Sequence, residues 1–236
     1  MVLVHGAWHG AWCWEKVTKG LADKGVPTVA VDLPGHGDDP GPLSDLFGDA
    51  VRVTEMLDTI DGPAVLVGHS YGGAVISQAG VHDAVDRLVY LCAMVLDEGE
   101  SCASAAADTE APLISNEGRP SLSAGFKMRG DGSATLDPSV AAACLYNDCD
   151  SASTAWALSR LTPQSLLNMG QEVTAAAWRV KPSTYVVCTD DMAVHPGLQR
   201  VLARRCTNSV EWNASHSPFL SQPETVVQFL AGLAAR

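Results

Sequence analysis

The sequence predicts an α/β fold in which one mostly parallel sheet of about six strands is flanked by helices and interrupted by an inserted helical cap. Three observations predict it. Short apolar runs alternate with amphipathic helical stretches over residues 1–95 and again from 184 to the end. The apolar run at 64–67 leads into Gly68-His69-Ser70-Tyr71-Gly72, a glycine-flanked serine at the start of a helix-compatible segment. Between 97 and 181 the alternation stops. Parallel strands need a crossover long enough to hold a helix, so the alternation implies a parallel sheet covered on both faces.

Taken in order, residues 1–4 are a short apolar run, read as a buried strand. It enters a loop rich in Gly and Trp, His5-Gly6-Ala7-Trp8-His9-Gly10-Ala11-Trp12-Cys13-Trp14. Trp14, Val17 and Leu21 share one face of the next helix, which Gly25 ends and Pro27 keeps from continuing. Residues 28–33 are a β-branched apolar strand that stops at the turn-forming Pro34-Gly35-His36-Gly37-Asp38-Asp39. Leu46, Ala50, Val53, Leu57 and Ile60 repeat at helical spacing behind a Ser44 cap, and Gly62 closes that helix. Residues 88–95 are a further strand. The stretch 97–181, rich in Ala, Ser, Asp and Gly, shows helical periodicity but no strand pattern. It is read as a cap inserted into a single domain spanning 1–236. The core resumes with a strand at 184–188, a helix opened by Pro196, a strand at 210–213 and a last helix. For that helix Ser221 and Glu224 are read as a capping box around Pro223, with Val226, Val227, Leu230 and Leu233 as the apolar face.

A chain of 236 residues, 47% of them hydrophobic, can bury one full core. Its net charge of -12 argues against nucleic acid or anionic membrane as partners, since both reward clustered Lys and Arg. Seven cysteines is an odd number, none lies in a Cys-x-x-Cys pair, and no His cluster has zinc spacing. Reduced thiols are expected, and no metal or organic cofactor. No basic stretch precedes the short first apolar run, so no secretory leader is expected and the cytoplasm is the default compartment. Entry directly into a strand fits native residues missing ahead of Met1. No stretch approaches the roughly 20 apolar residues of a membrane span. The expected partner is a small molecule, and a homodimer stays open.

A strand that turns sharply into a helix projects the residue at the bend above the sheet edge, and flanking glycines let the backbone bend. Ser70 is the residue so presented. A serine hydroxyl is a weak nucleophile that needs a base within reach and a group to orient that base. Asp190 and Asp191 follow the strand at 184–188, and His216 follows the strand at 210–213. Functional groups gather at the carboxyl ends of parallel strands. His216 is therefore the candidate general base and acid, with one of the two aspartates fixing its tautomer. His5 and His9 are read as braces of the first loop, His69 as part of the bend, and His82 and His195 as surface residues. Asp131 and Asp137 lack the ligand alternation of a calcium loop and are read as turn residues. Most tryptophans are assigned to the core, with Trp8 as a candidate at the mouth of a substrate pocket.

Val2-Leu3-Val4-His5-Gly6-Ala7 with Gly10-Ala11-Trp12-Cys13-Trp14, followed by Gly68-His69-Ser70-Tyr71-Gly72-Gly73, resembles the plant methylesterase and hydroxynitrile lyase branch of the α/β-hydrolases. Bacterial pyrethroid-type esterases are similar. The resemblance continues through Leu145-Tyr146, Cys149 and Leu161-Thr162-Pro163-Gln164-Ser165-Leu166 to Val187-Cys188-Thr189-Asp190-Asp191 and Ser215-His216, with residues 98–143 least matched. It implies an α/β-hydrolase fold with a compact sheet lacking the first two strands of larger relatives. It also implies a catalytic acid at Asp191, with Asp190 a neighbour and Asp97 a rival, and oxyanion donors at the Ala7 and Tyr71 backbone. The implied activity is hydrolysis of small to medium carboxylic esters through a Ser70 acyl-enzyme. A cyanohydrin lyase and a small-molecule receptor are the alternatives. Against the lyase, such enzymes carry Thr where Gly6 stands and Lys where Ser217 stands.

Overall fold

In the computed structural model, which describes residues 1–107 and 118–234, the first part of the chain runs β1 (Val2–Val4), α1 (Glu15–Asp23), β2 (Val29–Val31), α2 (Leu46–Asp58), β3 (Ala64–His69), α3 (Gly72–Ala79) and β4 (Val85–Leu91). Next come α4 (Cys102–Ala107), β5 (Phe126–Met128), β6 (Ser133–Leu136), α5 (Pro138–Leu145), α6 (Ser151–Leu158), β7 (Gln164–Ser165) and α7 (Leu167–Gly170). The last part is β8 (Ser183–Cys188), α8 (Pro196–Ala203), β9 (Asn208–Trp212), α9 (Pro218–Ser221) and α10 (Pro223–Ala234). Among the described residues no helix is long and apolar enough to cross a membrane.

The main sheet has six strands in the order β2-β1-β3-β4-β8-β9, every neighbouring pair parallel. Its central strands are apolar on both faces because both are covered: Val2, Leu3, Val4, Leu66 and Val67 are fully buried. From β1 the chain crosses one way to β2, and each later crossover leads the other way. Right-handed crossovers then put α1 on one face and α2, α3 and α8 on the other. The packing agrees, with α1 against α10 and α2 against α3. The direction reverses between β1 and β3, so the loops leaving their carboxyl ends part and open a crevice there. Val4 pairs with Gly68, which brings His5 and His69 side by side at that crevice.

The structure corrects three local readings. The stretch 97–181 holds helices, but β5, β6 and β7 also form a small antiparallel sheet. These strands are two to four residues long, too short for alternation to register, and Ala134 pairs with the distant Gln164. Residues 108–117 of that stretch lie outside the described residues. Asp45, not Ser44, caps α2, accepting from the Gly48 N–H. Ser221 ends α9 and donates to Asp148, so no capping box forms at α10. The turn readings of Asp131 and Asp137 match: Asp131 accepts from the Ser133 N–H, and Asp137 caps α5.

Candidate active site

At the end of β3 the backbone bends at Ser70, which takes a φ of 52°. Among the described residues only Trp8, Ser70 and Cys92 are non-glycine residues with positive φ. They lie just beyond β1, β3 and β4, which concentrates backbone strain of about 1 kcal/mol or more per residue at one edge of the sheet. The strain at Ser70 is offset by its N–H donating to Leu91 O and its carbonyl accepting from Gly73 and Met94 N–H, all at 3.0–3.2 Å. The glycines around it are required by close approach. A Cβ on Gly72 would lie 2.6 Å from His5 O, one on Gly73 2.5 Å from Met94 O, and one on Gly68 2.6 Å from Gly72 O.

His216 and Asp191 meet beside His69, the residue before Ser70, both almost fully buried. His216 Nδ1 lies 2.7 Å from Asp191 Oδ2. Asp191 Oδ1 accepts from the Ala193 and Val194 N–H groups at 2.7 and 2.9 Å, and Oδ2 accepts also from Gln199 Nε2 at 2.8 Å. The carboxylate is thus satisfied on every side, and the imidazole proton sits on Nδ1, leaving Nε2 as acceptor. Asp190 is exposed, and Asp97 is paired with Arg179, so of the three aspartates only Asp191 reaches His216. The His216 backbone is held from two directions. His69 Nε2 donates to its carbonyl at 2.8 Å, and Asp148 accepts from the Ser215 N–H at 2.9 Å and from the Ser215 hydroxyl.

The Gly6–Trp8 loop is held peptide by peptide. The Gly6 carbonyl accepts from His5 Nδ1 at 2.8 Å and from the His9 N–H at 3.3 Å. The Ala7 carbonyl accepts from His9 Nδ1 at 2.8 Å, while Leu33 N–H and the Tyr146 hydroxyl donate to the remaining nitrogens of His5 and His9. A trans peptide points its N–H opposite its carbonyl. The Ala7 N–H therefore faces away from His5, and Ala7 and Tyr71 line the same cavity as Ser70. Among the described residues neither the Ala7 nor the Tyr71 N–H has an acceptor. His5 and His9 brace the loop, as the sequence suggests.

Both rings must be neutral to play these parts, and burial enforces it. It pushes His9 down to about 4 and His5 well below the usual imidazole value. Burial likewise lowers His36 to about 4 and lowers His69 strongly. For a base whose folded pKa is depressed, the unfolded chain takes up protons first as pH falls, so stability is lost from about pH 6.5 down to 4. His9 and His36 should each cost about 2 kcal/mol at pH 5 relative to pH 8. Asp49 opposes them, since burial raises its carboxyl to about 6, which favours the fold at low pH; four histidines outweigh one acid. Urea unfolding at pH 8 and pH 5 checks this, with a clearly lower midpoint expected at pH 5.

Ser70 opens on a cavity of about 460 Å³ lined by Ala7, Trp8, Tyr71, Met94, Phe126 and Met169 among others, with no Asp, Glu, Lys or Arg among the described residues of its wall. A 520 Å³ surface groove along α1 and α10 is lined largely by charged side chains and holds none of the residues above. Trp8 is buried in the cavity wall, its Nε1 donating to Ala134 O at 2.9 Å. His195 is not a plain surface residue: it lines the cavity and caps α8 by accepting from the Gly197 N–H. His82 is half-buried and contacts Asp58. His69, Cys92 and His216 bring ligand-type atoms within 4.8 Å of one another. However, His69 Nε2 is committed to the His216 carbonyl and His216 Nδ1 to Asp191, and burial pushes the Cys92 thiol well up, away from the thiolate a metal takes.

Several residues of this site are not singled out by the sequence. Gln199, Asp148, Asp49 and Asn168 carry no motif; the one available signal is a Gln on the apolar face of α8, where a buried amide must have partners.

A strained serine at the end of the third strand, a histidine after the last strand and a crevice at the reversal of strand order together define the architecture of an α/β-hydrolase. The chain belongs to the alpha/beta hydrolase family, whose profile matches residues 1–229. It is 30% identical over 252 residues to the alpha/beta hydrolase nvfD of Aspergillus novofumigatus, covering 99% of this chain and 96% of that protein. It is 29% identical to the putative chloroplastic methylesterase 14 of Arabidopsis thaliana, covering 99% and 71% of the two chains. Among solved structures, a pyrethroid hydrolase from Sphingobium faniae JZ-2 superposes with a TM-score of 0.84 at 26% identity, over 99% of this chain and 96% of that one.

Proposed function

We propose that this protein is a serine esterase acting on small to medium, uncharged carboxylic esters. The observation that carries the reading is Ser70 opening on a cavity with no charged side chain among its described lining residues, beside two backbone N–H groups unspent among the described residues, with the His216–Asp191 pair against the neighbouring His69. In this reading His216 Nε2 takes the hydroxyl proton as Ser70 Oγ attacks the carbonyl carbon. The Ala7 and Tyr71 N–H groups donate to the developing oxyanion. As the tetrahedral intermediate collapses, the carbon–oxygen bond to the alcohol breaks and His216 returns the proton to the leaving oxygen. Water then repeats the sequence and frees the acid, while Asp191 accepts from Nδ1 and stabilises the imidazolium. The seven cysteines are all free, which supports the reducing cytoplasm as its compartment.

A panel of p-nitrophenyl, methyl, aryl and lactone esters, run beside mandelonitrile, tests the reading. Hydrolysis of p-nitrophenyl acetate or butyrate is expected, without detectable mandelonitrile cleavage. Expulsion of cyanide is favoured by a nearby cation, and Ser217, buried with its hydroxyl unpartnered among the described residues, supplies none. A Cβ on Gly6 would lie 2.8 Å from both Ser70 Cβ and His69 Nδ1, so Gly6→Thr should lower esterase kcat by about 10-fold or more by displacing the elbow. Mandelonitrile cleavage faster than any ester on the panel would overturn the esterase reading.

A further inference from the structure

We infer that two buried amides on one short segment, Gln164 and Asn168, are positioning residues that hold the two oxyanion donors in place. The inference rests on the esterase reading above for the role of those donors, and it ties transition-state stabilisation to the seating of the 162–169 segment over the sheet.

Gln164 and Asn168 are each only 1% exposed. Gln164 Oε1 accepts from the Trp8 N–H at 3.3 Å, and Thr162 N–H donates to Trp8 O at 2.9 Å. Together with the indole bond to Ala134, every polar group of Trp8 is held from residues 134–164. Trp8 is a bulky residue at a φ of 63°, a conformation that persists only when its surroundings impose it. Released, it favours negative φ and rotates the Ala7–Trp8 peptide, which directly follows the Ala7 N–H. The other donor is held from the same segment. Asn168 Nδ2 donates to the Tyr71 hydroxyl at 3.0 Å and to Asp49 Oδ2 at 2.9 Å, and the Tyr71 hydroxyl donates to Asp49 Oδ2 at 2.6 Å. The side chain of Tyr71, which lines the cavity and in this reading supplies the second donor, is thus fixed at its far end. Met169, next to Asn168, lines the cavity, so a substrate filling it presses on the segment that sets both donors. Binding contacts remote from the ester can then appear in kcat instead of KM.

The test uses Gln164→Met, which keeps the bulk but loses the acceptor; Gln164→Glu, which keeps an acceptor; and Asn168→Leu. Active sites are titrated with a fluorophosphonate so that unfolded protein does not count. Per titrated site, Gln164→Met and Asn168→Leu should each lower kcat on p-nitrophenyl butyrate by about 10- to 100-fold, somewhat less than outright removal of a donor. KM should stay within about twofold, and affinity for a phenylboronic acid, whose adduct with Ser70 places an oxygen at the donors, should fall with kcat. Gln164→Glu should recover most of the loss. Unchanged kcat per titrated site, or a change in KM alone, would overturn the inference and leave these amides a purely structural part. Amide hydrogen exchange over residues 5–9 decides the coupling without turnover: faster exchange in Gln164→Met supports it, and unchanged exchange overturns it. A wild type inert toward every ester instead removes the esterase reading, and the exchange result stands apart from it.

Discussion

Ser70→Ala and His216→Ala should each lower kcat on p-nitrophenyl butyrate by about 10⁴- to 10⁶-fold, and the double variant should be hardly worse than either. In the proposed mechanism the two side chains act as one unit: the hydroxyl is a nucleophile only while His216 Nε2 can take its proton, so losing either removes the same step. The structure makes the pair dependent on a fixed imidazole, because Nδ1 is bound to Asp191 and the His216 carbonyl is pinned by His69. The residual rate should come from the Ala7 and Tyr71 N–H groups, which neither substitution touches. A fluorophosphonate that labels Ser70→Ala as fully as the wild type would show that another residue is the nucleophile.

Asp191→Asn should lower kcat by about 10³- to 10⁴-fold, whereas Asp190→Asn should change it by less than about threefold. The Ala193 and Val194 N–H groups both donate to Asp191 Oδ1, so an asparagine must place its oxygen there. Its NH₂ then faces His216 Nδ1 and Gln199 Nε2, which lie 2.7 and 2.8 Å from the other carboxylate oxygen. With a donor opposite it, Nδ1 becomes the acceptor and the proton moves to Nε2, the nitrogen that should receive the serine proton. Gln199, whose Nε2 also donates to Val194 O and whose Oε1 accepts from Cys188 N–H, is too well held to turn aside. Asp190 has an exposed side chain, and among the described residues only its backbone is engaged, through Ala214 and Asn147. Equal losses at the two positions, or the larger loss at Asp190, would move the orienting role.

The parts of the site legible in the sequence are those written locally. Gly68, Gly72 and Gly73 announce a bend because backbone passes within 3 Å of where each Cβ would stand, and a motif of adjacent residues records that need. The strand–helix alternation follows from apolar periodicity over a few residues at a time, whereas the strand order, and with it the crevice where that order reverses, is set by the tertiary fold. What the sequence leaves open is partner choice across long separations. The β5–β7 sheet escapes notice because its strands are too short to show a period. Asn168 is unremarkable until Tyr71 and Asp49, 97 and 119 residues away, are seen to meet it.

By itself, then, the sequence determined the class of sheet and the bend that presents Ser70, since each depends on residue type at fixed local spacing, and it put His216 forward as the candidate base. Only the tertiary structure decided that Asp191 and not its neighbour bonds His216, that His195 belongs to the cavity wall, and that the Trp8 peptide is held from Gln164 across 156 positions. The physical reason is that a hydrogen bond is satisfied by whatever the fold brings within about 3 Å. Distance along the chain carries no record of it.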